Sequence, residues 1–124
     1  RICLHKENSK LHEMIIVLSK DTYIRPHKHI NKPESLHVIE GNADVIFFND
    51  LGKVLKKVEL KKNNNFDFFY RVSEATFHTL KVKSKFFVFH ESTIGPFKKN
   101  KTIYATWSPQ ENDLSGIKQF MKSL

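Results

Sequence analysis

The stretch YIRPHKHINKPESLHVIEG, residues 23–41, holds three histidines and two glutamates, and their spacing suits metal chemistry. Side chains two apart on an extended strand point to the same face. His27 and His29 therefore project together if RPHKH is a strand. Pro26 stiffens the approach, and the INKP connection is long enough for the Glu34 carboxylate to swing back to the same centre. A third imidazole is available from His78 in SEATFHTL, about fifty residues later. Three neutral imidazoles and one carboxylate form a borderline-hard donor set suited to Fe, Mn, Ni, Co, Cu or Zn, with positions left open on a six-coordinate ion. An HxH pair also occurs in histidine-rich loops that bind nothing, so the fold has to bring the partners in.

Short segments of alternating apolar residues supply that framework. MIIVLS, LHVIEG, ADVIFFND, VLKKVEL, FDFFYRV, HTLKV and FFVFHE carry the β-branched and aromatic residues that fill pleated surfaces. Turns are expected at NDLG (Asn49–Gly52), KNNN (Lys62–Asn65) and KSK (Lys83–Lys85). TIYATW reads as a last strand. Many strands at this spacing predict an all-β barrel or sandwich. In the tail, Leu114, Ile117, Phe120, Met121 and Leu124 fall at helical spacing behind Asn112 or Asp113 as a cap, which predicts a short docking helix over about 112–123. The expected organisation is one domain over 1–124, with the barrel over about 13–109.

At 124 residues and 40% hydrophobic, the chain can bury one core large enough to hold a site. The longest apolar runs, such as EMIIVL, are too short to span a bilayer, so no membrane partner is expected. The lone Cys3 makes no internal disulfide, which suits a cytoplasmic location. A net charge of +8 invites a nucleic-acid reading, but the basic residues lie in short groups without interleaved aromatic platforms or a recognition helix. A solvated basic face, or a field that attracts a small anion, fits better.

The motifs also carry a family resemblance. Two histidines one apart, a glutamate five positions on and a glycine seven further, with His78 beyond, have the pattern of a cupin. More narrowly, RICLH, EMIIVL, TYIRPHKH, KPESLHVIEG, HTL, FHESTIGPF and ATWSP, from Arg1 to Pro109, resemble the WbuC-type cupin-fold metalloproteins. This resemblance implies a double-stranded β-helix (jelly-roll) barrel and one divalent transition metal per chain (Fe, Mn, Ni or Zn) on His27, His29, Glu34 and His78. It also implies a place among bacterial genes for surface polysaccharides, O-antigen or lipopolysaccharide. It names no reaction. Against the general pattern, Asp21 stands where a glycine is usual, SEATFH replaces Pro-x-Gly-x-x-His, and Val82 replaces an asparagine.

Strand parity nominates Arg25 and Tyr23 as facing the same interior as His27, where the Arg25 guanidinium would grip a carboxylate or phosphate with two prongs. Arg71 and Tyr70 are further candidates without a fixed parity. Glu91 is read either as a general base at the centre or as a strand-end carboxylate binding amides of the TIGPF turn. Trp107 is read as core rather than as a sugar-stacking platform, and His5, His12, His37 and His90 as structural or exposed. Three functions follow: an enzyme, isomerase- or epimerase-like, acting on a small anionic carbohydrate-type metabolite; a non-catalytic metal-dependent binding module; or a scaffold stabilised by metal. A homodimer is expected, since small barrels of this kind pair through edge strands and tails.

Overall fold

The computed structural model describes residues 1–62 and 67–124, with only the backbone of Lys99. Its strands are β1 (Ile2–Cys3), β2 (Leu11–Ser19), β3 (His27–His29), β4 (Glu34–Glu40), β5 (Asn42–Phe48), β6 (Val54–Lys61), β7 (Phe69–Val72), β8 (Phe77–Val82), β9 (Phe86–Ile94) and β10 (Thr102–Tyr104). One helix, α1 (Leu114–Ser123), follows. The strands form two five-stranded sheets, ordered β1-β2-β9-β4-β7 and β10-β3-β8-β5-β6, with antiparallel neighbours. This is an all-β jelly roll with a C-terminal helix: the alternating segments predict the β-rich layers, the family resemblance implies the jelly roll, and the spacing in the tail predicts the helix.

The inward faces meet in a core that includes Leu36, Val38, Val45, Leu60, Leu80, Phe87 and Phe89. Strand β5 departs from simple alternation, because Val45, Ile46, Phe47 and Phe48 are all buried. Its outer face is covered: Ile46, Phe48, Phe77 and Ala105 form a second cluster against which Trp107, Phe120 and Leu124 pack. A strand buried on both faces reads as a continuous apolar run. Trp107 lies 5.1 Å from the Phe48 ring and 5.8 Å from Phe77, in the packing role read from the sequence.

The helix begins at Leu114 rather than near 112, with Asp113 as cap: its Oδ1 accepts the Gly116 N–H at 2.8 Å. Leu114 is 78% exposed, so the docking stripe is shorter than the helical spacing suggests. The Asn49–Gly52 turn forms as expected, with Asn49 Oδ1 accepting from the Leu51 and Lys53 amides at 3.0 and 2.8 Å. At the KSK turn, the Lys83 amide donates to the Asn42 carbonyl at 3.0 Å. Of the expected KNNN turn (Lys62–Asn65), residues 63–65 lie outside the described residues. TIYATW is extended only over Thr102–Tyr104, after which the Ala105 amide donates to the Pro26 carbonyl at 2.8 Å and the chain leaves the sheet. No helix among the described residues is long and apolar enough to cross a membrane.

Candidate metal centre

Strand β3 supplies His27 and His29, and β8 supplies His78 directly opposite His27 in the register. The His27 ring centroid is 4.8 Å from each of the other two, which lie 5.8 Å apart. Glu34 arrives from the other sheet as the first residue of β4, opposite Thr93 and Val72. The connection that returns it turns at Asn31, in the left-handed region at φ 51°, which asparagine tolerates better than most residues. Thr93 Oγ1 then donates to the Pro33 carbonyl at 2.9 Å and fixes the entry into β4.

Each imidazole is held from behind. His27 Nδ1 donates to the Arg25 carbonyl at 2.8 Å and His78 Nδ1 to the Thr76 carbonyl at 2.9 Å, while His29 Nδ1 lies 3.1 Å from the Thr102 hydroxyl on β10. A carbonyl can only accept, so the Nδ1 of His27 and of His78 carries the proton and Nε2 keeps its lone pair. Such outer hydrogen bonds fix tautomer and ring direction in metal sites. On the inner side, His29 Nε2 is 3.1 Å from Glu34 Oε1 and His78 Nε2 is 3.9 Å from Oε2.

One donor atom from each of the four residues lies within 4.8 Å of the others. Donors about 2.1 Å from one ion stand at most about 4.2 Å apart, so contraction by a few tenths of an ångström closes the set. The site is also nearly dry, with His78 and Glu34 6% and 8% exposed. Burial, and then the neighbouring His78, pushes the His27 pKa down to about 4, and burial lowers that of His78 as well. Both imidazoles are thus neutral at physiological pH, as metal ligation needs. Burial alone would raise the Glu34 pKa, but the His29 hydrogen bond and the cationic charge nearby outweigh it and hold the carboxyl ionised. The donor set therefore fits a divalent transition metal. The departure at SEATFH does not displace His78, and Val82 lines the core.

Tyr23 and Arg25 do not continue strand β3, although the Arg25 carbonyl is the one that His27 Nδ1 meets. Residues 23–26 are not a strand, so two-residue parity does not extend back from His27. Arg25 Nη2 donates to the Ala105 carbonyl at 2.9 Å and Nε to Ser108 Oγ at 3.3 Å, and the Tyr23 hydroxyl donates to the Pro109 carbonyl at 2.9 Å. Both pin the C-terminal segment. Tyr70 faces inward against Phe47, whereas Arg71 is exposed and donates to Ser35 Oγ at 3.2 Å.

Glu91 has the same inward parity on β9 as Phe87 and Phe89, and among the described residues it does not bind the TIGPF amides. Burial, and then the negative charge of Glu34, raises its pKa to about 7. Lys32, which the sequence reading passed over, sets its ammonium 3.7 Å from Glu34 Oε1. It stands in a loop where periodicity says nothing; its only signal was its place two residues before Glu34. The other histidines lie elsewhere: His5 stacks on His12 at 3.8 Å, and His37 and His90 face each other on the outward side of β4 and β9.

The family model of DUF6016, a domain of unknown function, matches residues 1–60. No curated protein matches the sequence. Solved structures match at low identity. A protein from Shewanella oneidensis is 11% identical, with a TM-score of 0.65 over 96% of this chain and 75% of its own. CapF, solved with the inhibitor 3-isopropenyl-tropolone, is 13% identical, with a TM-score of 0.63 over 82% of this chain and 30% of its own. A mutant of Bacillus subtilis oxalate decarboxylase is 17% identical, with a TM-score of 0.59 over 77% of this chain and 24% of its own. The chain thus spans less than a third of CapF and of the decarboxylase. These likenesses and the two five-stranded sheets show that the chain has the cupin-like jelly-roll fold, with a candidate three-histidine, one-glutamate metal centre between its sheets.

Proposed function

We propose that this chain is a metal-dependent cupin protein, taking one divalent transition metal on His27, His29, Glu34 and His78, and that it isomerises or epimerises a small anionic carbohydrate-type metabolite. The observation that carries this reading is the convergence of four donors from two sheets, with both carbonyl-anchored imidazoles turned so that Nε2 is unprotonated. The setting, cytoplasmic synthesis of bacterial surface polysaccharide, rests on the sequence resemblance to the WbuC-type proteins. The reading includes a homodimer. It is supported by Ile2, Val17, Phe69 and Phe86, 62%, 53%, 51% and 47% exposed on the outward side of one sheet.

A bound divalent metal would polarise a substrate carbonyl or hydroxyl. Glu91, on the inner side of β9, holds a proton up to about pH 7 and is therefore matched to exchange one with an acidified C–H at neutral pH. Removing a proton beside a carbonyl and returning it to the same carbon on the other face is epimerisation; returning it to the neighbouring carbon is isomerisation. The experiment is exchange in D2O: the metal-loaded protein is incubated with a panel of uronic acids and sugar nucleotides and followed by NMR. Deuterium should enter the carbon beside the carbonyl of at least one compound, and Glu91→Gln should abolish this while keeping its metal.

A second reading, ligand binding without turnover, is favoured by the absence of Glu91 from the group of donors within 4.8 Å. A compound that binds the loaded protein and exchanges no proton would establish it.

A further inference from the structure

Lys32 occupies the loop between β3 and β4, and its side chain is 13% exposed. Its ammonium lies 3.7 Å from Glu34 Oε1, the same oxygen that His29 Nε2 faces at 3.1 Å, and 5.6 Å from the centroid of the Phe97 ring. A lysine head withdrawn from water needs an anionic partner. The partner it has is the carboxylate that a metal would take.

With the metal bound, the Lys32–Glu34 pair is no longer balanced. A divalent ion outweighs the single Glu34 carboxylate, the imidazoles add nothing, and Lys32 contributes a further cation beside the ion. Glu91 also lies within electrostatic reach of Lys32, but it feels the field of Arg1 as well and cannot offset all three positive charges. Excess positive charge in a poorly solvated interior is relieved by an anion. Arg25 directs its Nε and one Nη2 donor to Ser108 and Ala105.

We infer that Lys32 is the anion-recognising residue of the centre, and that the ligand is a small 2-hydroxycarboxylate or equivalent, with its carboxylate toward Lys32 and an oxygen on an open metal position. The inference rests on the metal reading above and deepens it. The ligand replaces Glu34 as the counter-ion of Lys32, so ligand affinity depends on the Lys32 charge while metal affinity does not require it.

The test uses the cobalt(II)-loaded full chain and two probes, glycolate and its uncharged relative ethylene glycol, read through the visible absorption of cobalt. Glycolate should shift the spectrum at concentrations where ethylene glycol does not. Lys32→Met should keep its cobalt and bind glycolate about tenfold to a hundredfold more weakly, the range expected when a hydrogen bond to a charged group is lost. Lys32→Arg, which keeps the charge, should restore most of the affinity. Glycolate binding undiminished in cobalt-loaded Lys32→Met overturns the assignment, as does equal binding of the two probes. A wild-type cobalt protein that ignores glycolate overturns it and leaves the metal reading standing. A chain that takes up no cobalt overturns both.

Discussion

Metal-free Glu91→Gln should be more stable than the wild type at pH 8, by up to about 3 kcal/mol, and should show no advantage at pH 4. The native Glu91 pKa is raised to about 7, first by burial and then by the charge of Glu34. The native state therefore binds this proton more tightly than the unfolded chain, whose carboxyl titrates near 4.5. Its favourable contribution is complete below the unfolded pKa and is lost as pH rises through about 7. Glutamine keeps the shape and cannot ionise, so it removes the loss.

The variant also exposes an opposite slope. His27 is depressed to about 4 in the native state, so below pH 6.5 the unfolded chain binds the extra proton and stability falls as pH falls. In the wild type the Glu91 slope opposes those of His27 and His78 between pH 4.5 and 6.5, and the stability profile should be flattened there. In Glu91→Gln the fall from His27 and from His78, which burial shifts in the same direction, should be unopposed and steeper. Urea unfolding of both metal-free proteins at pH 4, 6 and 8 measures this. Equal stabilities at pH 8 would contradict the buried position assigned to Glu91.

Gly41→Ala should destabilise the protein by about 2–5 kcal/mol, combining the penalty for a left-handed backbone with that for overpacking. Gly41 joins β4 to β5 at φ +81°, and a Cβ there would lie 2.2 Å from the Phe86 carbonyl oxygen and 2.5 Å from Ser84 Oγ. The Phe86 oxygen is backbone, in a strand paired to both β2 and β4, so it cannot step aside without disturbing that sheet. A loss of that size is a large fraction of the stability of a single domain. It should lower the melting temperature by roughly 10–20 °C. Gly52→Ala is the comparison: its φ is similar, but the nearest neighbour is the Trp107 ring at 2.8 Å, a side chain with more freedom to shift. Gly41→Ala within about 1 kcal/mol of the wild type would mean that β4 and β9 do not approach as described.

Most of the fold was legible because one face of each strand meets the core, which prints alternation into MIIVLS, HTLKV and FFVFHE. The candidate cluster was legible for a related reason: His27 and His29 obey strand parity and Glu34 follows a short connection. That parity does not extend back past Pro26 to Tyr23 and Arg25. The chain there is leaving a turn in which the Thr22 amide donates to the Ser19 carbonyl at 3.0 Å, and it crosses toward residues that lie about eighty positions later. Contacts of such sequence separation leave no local pattern. Lys32 was one of eighteen lysines, and only the folding of its loop over Glu34 sets it apart. Glu91 had the right parity all along; what the sequence did not show is how much burial shifts its proton affinity.

Whether His27, His29, Glu34 and His78 hold a metal is read from metal content by elemental mass spectrometry. Untagged wild type, His27→Ala, His78→Ala and Glu91→Gln would be loaded side by side with Fe, Mn, Ni and Zn salts and dialysed. About one equivalent of one metal is expected in the wild type and in Glu91→Gln, and loss of it in both histidine variants. A wild type that retains no metal, or histidine variants that retain it in full, would contradict metal binding by these four residues.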